Sequence, residues 1–418
     1  MNITLKNGQR SGVTSAPSSK SHAQRLLICA GLGASGVTLD CGDISKDIAA
    51  AASCVQTLCA DVTELHEGVL RVEPCAKPSD GVKALHCGES GSTLRFLIPV
   101  CGALGESVVF KMEGRLSERP LSPLDEVLHE HGMTLERIGT ELHCSGKLTG
   151  GEFEIAGNVS SQFISGLLFA LPLLDTDSAL TVTGKLESSA YIAMTENALR
   201  QSGIEFAKND NVYAIPGNQR YRLNEACTVE GDLSNAAFFL CMGALSDNGV
   251  TVKNIPEHTS QGDKKIIDIL RSFGADVTVS GGSVAVKKGK LTACTVDASE
   301  IPDLVPVVSV VAAAAEGGTH IINAARVRLK ESDRLMTTAT LLCGLGASVE
   351  ELPDGLIVHG SNELHGGTVD SFNDHRIAMS AAVAACICTE PVTVTGCECV
   401  NKSFPRFWEK FNGLECGQ

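Results

Sequence analysis

Residues 326–335 read RVRLKESDRL and crowd cations and carboxylates into one short segment. Lys330 and Arg334 are spaced i, i+4, so on one helix face they repel unless an anion lies between them or Glu331 and Asp333 offset them. An anion site and an internal salt-bridge lattice both satisfy that spacing. A second carboxylate, Asp303 in SEIPDLVP, leads into an apolar helical run, where an acid ordinarily complements the helix dipole. Two carboxylates among cations permit general acid and base chemistry on a substrate that is itself multiply anionic.

Other segments place donors where an anion could be held. In PSSKSHAQRLL, residues 17–27, Ser19, Lys20 and Ser21 open an apolar-periodic helix whose free N–H groups and positive dipole end attract anions, and Lys20 and Arg25 add full charges. The same residues also suit a Ser-capped helix with solvated cations. In SSQFISG, Ser160, Ser161 and Gln162 offer hydroxyls, an amide and backbone donors without charge, which fits either a phosphate or an ordinary cap. NDHRIAM puts Asp374, His375 and Arg376 at a helix start, where an acid belongs and an Arg is out of place, which tilts towards ligand binding. His375 serves there as a cap, a hydrogen-bond partner or a helper in proton transfer. Arg119 in ERPL and Lys402 in NKSFPRF each lie beside a proline-fixed turn, a setting more common in surface loops than in sites.

The elements that carry these residues repeat with a period of about 70 residues. Six copies fit, each opening with a polar turn and an apolar helical run, from Ser18, Gly88, Asn158, Glu230, Ser299 and Phe372. Each run meets a short β-like strand, at Gly36, Glu106, Ser178, Gly249, Gly318 and Pro391. A polar connector and usually a second amphipathic helix follow, ending in several copies at a Gly-based stop and a strand, as in ILRSFGADVTV and LLCGLGASVEEL. Alternating strands and helices define an α/β class, and six units of one design divide into two lobes of three. The candidate residues cluster at helix beginnings and connectors, so copies packed with one handedness bring those N-termini together.

Composition narrows the partners. A chain of 418 residues exceeds one hydrophobic core, and 43% apolar but only 4% aromatic residues make Ala, Val, Leu, Ile and Cys the core material. The net charge of −15 argues against a broad nucleic-acid or anionic-membrane footprint. The start MNITLKNGQR lacks signal-peptide features and no long uncharged apolar stretch follows, which predicts a cytoplasmic protein. The 17 cysteines, among them Cys29, Cys101, Cys241, Cys343 and Cys386, read as small core hydrophobes, and the Cys386/Cys388 and Cys397/Cys399 pairs as filler rather than metal ligands.

Along essentially its whole length the sequence resembles EPSP synthases, through PSSKSHAQR, GESGSTLR, ERPL, GNVSSQFISG, EGDLSNAAFF, IPDLVP, LKESDR, NDHRIAM and NKSFP in family order. The resemblance implies two similar lobes, each of three βαβαββ units about a pseudo-threefold axis, the inside-out barrel of enolpyruvyl transferases. It divides the chain into 1–15 plus 229–418 and 16–228, with the substrate cleft between. It implies transfer of the enolpyruvyl group of phosphoenolpyruvate to the 5-hydroxyl of shikimate 3-phosphate, on the route to chorismate and aromatic amino acids, by a monomer without metal or organic cofactor. Shikimate 3-phosphate then falls to Ser21 and Arg25 for the carboxylate, Ser160, Ser161 and Ser188 for the phosphate, Lys330 and Asp303 for ring hydroxyls, with Tyr191 lining the site. Phosphoenolpyruvate falls to Lys20, Gly91, Arg119, Gln162, Arg334, Arg376 and Lys402. Glu331 is the expected proton donor to C3 and later acceptor, while Asp303 and Lys20 handle the hydroxyl proton. Two departures stand out: the family's GNAGT loop reads GESGS, with Glu89 in place of an amide, and Arg326 replaces an Asn. The related UDP-N-acetylglucosamine enolpyruvyl transferases use a loop cysteine that GRLSERP, residues 114–120, lacks. A non-catalytic anion-binding protein on this fold would be expected to have lost the acids, which are all present.

Overall fold

Five of the six copies fold as a helix between two parallel strands followed by a second helix and an antiparallel hairpin. The computed structural model describes residues 1–75, 81–360 and 364–417. In the copy that begins with Glu152–Ala156, the helix Ser161–Ala170 crosses over to Ser178–Thr183, which runs parallel to the first strand with Glu152 opposite Ala179. The helix Ser189–Gln201 then leads into the antiparallel pair Ala207–Asn209 and Val212–Ile215. Strict in-and-out burial along SALTVT is the period of two that a half-buried strand requires, and Ser160 caps the first helix by accepting from the Gln162 N–H. Parallel neighbours need such a crossover, which explains why a helix always separates them.

Chain order is broken in two places. The helix Lys20–Gly31 and the strand Val37–Asp40 find their parallel partner at Ala226–Thr228, far along the chain. In the same way Arg10–Ser15 lies parallel to Val250–Lys253, although the helix Leu233–Ala244 that joins such a pair comes more than two hundred residues after that first strand. The chain accordingly forms two compact units, Met1–Ser18 with Glu230–Gln418, and Ser19–Val229. The last copy, Gly367–Asp370 with Val392–Thr395, takes its antiparallel neighbour from the N-terminal strand Asn2–Leu5.

The unit that contains Glu230–Gln418 buries the first helix of each of its copies completely. All residues of Leu233–Ala244, Val305–Ala313 and His375–Ala384 are buried, and the three helices pack on one another. A helix apolar all round is stable only at the centre of a core. The scarce aromatics gather beside it: Phe239 lies 5.9 Å from Phe404 and 5.6 Å from Phe407, whose ring is 4.9 Å from Trp408. In Ser19–Val229 the helices Gly91–Leu104 and Ser161–Ala170 approach so closely that a Cβ on Gly166 would overlap the Arg95 carbonyl, so only glycine allows the contact.

The expectation that the cysteines serve as core residues fails at Cys343, which is exposed. In the last turn of the helix Arg334–Gly344, Leu341 and Leu342 turn inward, and the next position along rotates out to solvent. Among the described residues no group of His, Cys, Asp and Glu is arranged to hold a metal ion, and no helix is long and apolar enough to cross a membrane. Phe239→Ala removes a fully buried ring from the aromatic cluster and should destabilise the protein by about 3 to 5 kcal/mol. Urea denaturation followed by Trp408 fluorescence measures it; a loss below about 1 kcal/mol would mean that the cluster does not hold this unit together.

Candidate active site

In the unit containing Glu230–Gln418 the candidate residues meet at one carboxylate. Asp303 stands in the 3-10 turn Pro302–Leu304 ahead of the buried helix Val305–Ala313. Its Oδ1 accepts from Arg334 Nη1 at 2.7 Å and lies 3.4 Å from Lys330 Nζ, and its Oδ2 accepts from Arg376 Nη2 at 3.1 Å. Arg376 Nη1 also donates to the Asp303 carbonyl at 3.1 Å. Arg334, 1% exposed, donates in addition to Glu331 Oε2 at 2.6 Å and to Asp374 Oδ2 at 2.8 Å. Burial opposes the Arg334 charge, and Asp374, Glu331 and Asp303 together overcome it and raise its pKa.

Two sequence expectations change here. Lys330 and Arg334 do not share a helix face, because Lys330 ends the 3-10 turn Ala325–Leu329 and the helix starts at Arg334, with Asp333 as its cap. Their like charges are reconciled by Asp303, which accepts from Arg334 and lies beside Lys330. Lys402 and Arg119 are not surface-loop cations either: they are 5% and 9% exposed. Lys402 Nζ donates to the Asn373 carbonyl at 2.5 Å, and Phe372 and Asn373 are both left-handed (φ 52° and 53°) to turn that carbonyl towards it.

The unit Ser19–Val229 gathers a second group. Ser19 caps the helix Lys20–Gly31 through the His22 N–H, and Lys20 Nζ pairs with Asp47 Oδ2 at 2.9 Å. Arg25 is 2% exposed and donates to Thr195 Oγ1, the Ser21 carbonyl and the Tyr191 carbonyl, each at 2.8 Å. These are neutral oxygens, and burial pushes the guanidinium down to about 10. Burial, with Arg25 nearby, also pushes His22 down to about 4, so it is neutral at pH 7. Ser188, which precedes the helix Ser189–Gln201, is a buried non-glycine residue at φ 54°, the kind of strain that persists where surroundings dictate it.

Around Gly91 the structure adds residues that the sequence did not single out. Arg95 Nη1 donates to Gln162 Oε1 at 2.7 Å and its Nη2 to the Pro120 carbonyl at 3.1 Å, so it joins the Gly91, Arg119 and Gln162 segments. A Cβ on Gly91 would fall 2.7 Å from Arg119 Nη1 and 3.3 Å from Arg95 Nη1, which shows how closely both guanidiniums pass over this glycine. Gln24, fully buried, donates to Ser90 Oγ at 2.9 Å, to Thr93 Oγ1 at 3.0 Å and to the Asp47 carbonyl at 3.2 Å, tying two helix starts together. Arg95 and Gln24 sit one turn inside apolar helices, where a polar residue usually reads as a snorkelling side chain; their spacing from Gly91 and Lys20 was the available signal. Glu89 packs its carboxylate against Gly114, and Arg326 Nη2 donates to the Ser299 carbonyl at 2.9 Å.

The arrangement of each copy is that of solved enolpyruvyl transferases. An EPSP synthase from Acinetobacter baumannii matches with a TM-score of 0.80 over 100% of both chains at 24% identity, and the enolpyruvyl transferase NikO from Streptomyces tendae with a TM-score of 0.78 over 99% of this chain and 98% of that one at 16% identity. Likeness at those identities defines the fold class. Sequence is more specific: a family model described as EPSP synthase (3-phosphoshikimate 1-carboxyvinyltransferase) matches residues 6–411. Proteins named 3-phosphoshikimate 1-carboxyvinyltransferase are 40% identical in Clostridium kluyveri, over 99% of this chain and 97% of that protein, and 43% identical in Clostridium acetobutylicum, over 95% and 94%. The chain belongs to the EPSP synthase family.

One buried acid near Asp303 has a measurable signature. Burial, then the Asp303 charge, raise Asp263 to about 6, with Arg376 opposing them. A carboxyl whose folded pKa lies above its unfolded value binds more protons when folded, so stability falls as pH rises from about 4 to about 6 and the loss persists above that. Asp263→Asn should therefore raise the thermal midpoint at pH 7.5 relative to the parent and have little effect at pH 4. An equal effect at both pH values would show that Asp263 is not held with a raised pKa.

Proposed function

We propose that the protein transfers the enolpyruvyl group of phosphoenolpyruvate to the 5-hydroxyl of shikimate 3-phosphate, releasing phosphate, as a cytoplasmic monomer. The observation that carries this reading is the family match along residues 6–411. The residue roles rest on the charge clusters just described.

In this reading Arg25 receives the shikimate carboxylate, because a fully desolvated guanidinium bonded to neutral oxygens gains most from an incoming anion. Ser21 supports it, Ser160, Ser161 and Ser188 take the phosphate, Tyr191 lines the ring, and Lys330 with Asp303 take the ring hydroxyls. Lys20, Gly91, Arg119, Gln162, Arg334, Arg376 and Lys402 hold phosphoenolpyruvate, and Arg95 joins them by its bond to Gln162.

The 5-oxygen forms a bond to C2 of phosphoenolpyruvate while its proton passes to Asp303 or Lys20, and C3 takes a proton from Glu331. The tetrahedral adduct then breaks its C2–O bond to phosphate, which leaves with the proton taken from the 5-hydroxyl, and a C3 proton returns to Glu331. Acid and base thus exchange roles within one turnover. Cations around the phosphate and carboxylate supply the stabilisation of developing charge. Because Arg334 and Arg376 are bonded to Asp303, an arriving anion has to take over those bonds, which frees Asp303 to act as a base.

Incubation with both substrates after exhaustive chelation should release phosphate, and either substrate alone should not. Release that requires UDP-N-acetylglucosamine in place of shikimate 3-phosphate would overturn the assignment. Glu331→Gln should keep shikimate 3-phosphate binding by calorimetry and lower kcat on the order of 10² to 10⁴; a variant with the parent kcat would remove Glu331 from the proton transfers.

A further inference from the structure

Asp374 has no part in the chemistry set out above, yet it sits behind much of it. It is fully buried and accepts four hydrogen bonds. Oδ2 takes Arg334 Nε at 2.8 Å and Ser332 Oγ at 3.0 Å; Oδ1 takes the Arg376 N–H at 2.9 Å and Arg334 Nη2 at 3.3 Å. Burial would raise its pKa, but the Arg334 charge, neighbouring His375 and the hydrogen bonds from Arg334 together offset this and hold Asp374 below the usual carboxylate range.

One carboxylate thereby ties three segments: the start of the helix His375–Ala384, the start of the helix Arg334–Gly344, and Ser332 beside Glu331. A guanidinium is planar with its donors in a fixed fork, so holding the Nε edge decides where both Nη groups point. Here they point at Asp303 and Glu331. The loop between is pinned on its other side too, where Arg328 Nη1 bridges Asp333 Oδ2 at 2.8 Å and Glu351 Oε1 at 2.6 Å.

We infer that Asp374 is a positioning residue, which aims Arg334 and, through Ser332, holds the loop that presents Glu331. This rests on the proposed reaction. A helix cap would explain only the bond to the Arg376 N–H; the other three bonds run to side chains that surround Glu331.

The two roles separate experimentally because Asn caps a helix about as well as Asp but carries no charge. Asp374→Asn should raise KM for phosphoenolpyruvate about tenfold or more, as displacement of a positioning group does, while near-UV circular dichroism shows the native fold. Ser332→Ala keeps both charge and cap and should lower kcat roughly fivefold with KM for phosphoenolpyruvate unchanged. A folded Asp374→Asn with parental KM would overturn the inference. Should Asp374→Asn fail to fold, Ser332→Ala decides it, and parental kcat there overturns the hold on the Glu331 loop. The reaction itself stands or falls separately, on whether the parent protein releases phosphate from the two substrates.

Discussion

Arg334 is 1% exposed, and the cost of burying its charge is met by carboxylates drawn from three places in the chain. An isolated charge of that depth would cost several kcal/mol, and removal of one partner from such a group typically costs 3 to 5 kcal/mol. The cluster therefore acts as a registration device: the turn at Asp303, the loop at Glu331 and the helix start at Asp374 are in place together or the charge is left uncompensated. Since those segments come from two copies of the repeat, Asp303 and Glu331 from one and Asp374 from the next, the same ion pairs that satisfy the core also join neighbouring copies.

Much of the fold could be read from periodicity. All six apolar runs are helices and all six following segments are strands, because polar turns, apolar helical stretches and short alternating strands are local properties. Partner choice is not local. That Ala226–Thr228 completes the sheet begun at Val37–Asp40, and that Arg10–Ser15 pairs with Val250–Lys253, follows from which open strand edge remains once the intervening copies have closed, and short strands such as ACT carry little pattern of their own. Burial of a single helix position has the same limit: Cys343 follows two core leucines in sequence but not around the helix axis.

For the site, the residue types were visible and their partners were not. The spacing of Lys330 and Arg334 shows that like charges so close need an anion, but not that Asp303, separated from Arg334 by a helix, a strand and a 3-10 turn, lies between them. Asp374 looked like any acid at a helix start because its cap bond to the Arg376 N–H is the only part of its role that sequence can express. Arg95 was passed over for a related reason. An Arg one turn into an apolar helix has no sequence mark that distinguishes a side chain aimed at Gln162 from one reaching to solvent.

The two units handle buried charge in opposite ways, and the difference bears on how each can receive an anion. Arg334 is already neutralised by carboxylates, so any anion reaching it would gain only the difference between its own bonds and those it displaces. Arg25 is bonded to one hydroxyl and two carbonyl oxygens, which satisfy its hydrogen atoms but leave its charge desolvated, as its pKa of about 10 records. An anion arriving at Arg25 would displace no charge and would offset that desolvation. One unit thus holds its buried cation with carboxylates and the other with neutral oxygens, two different starting points for receiving an anion.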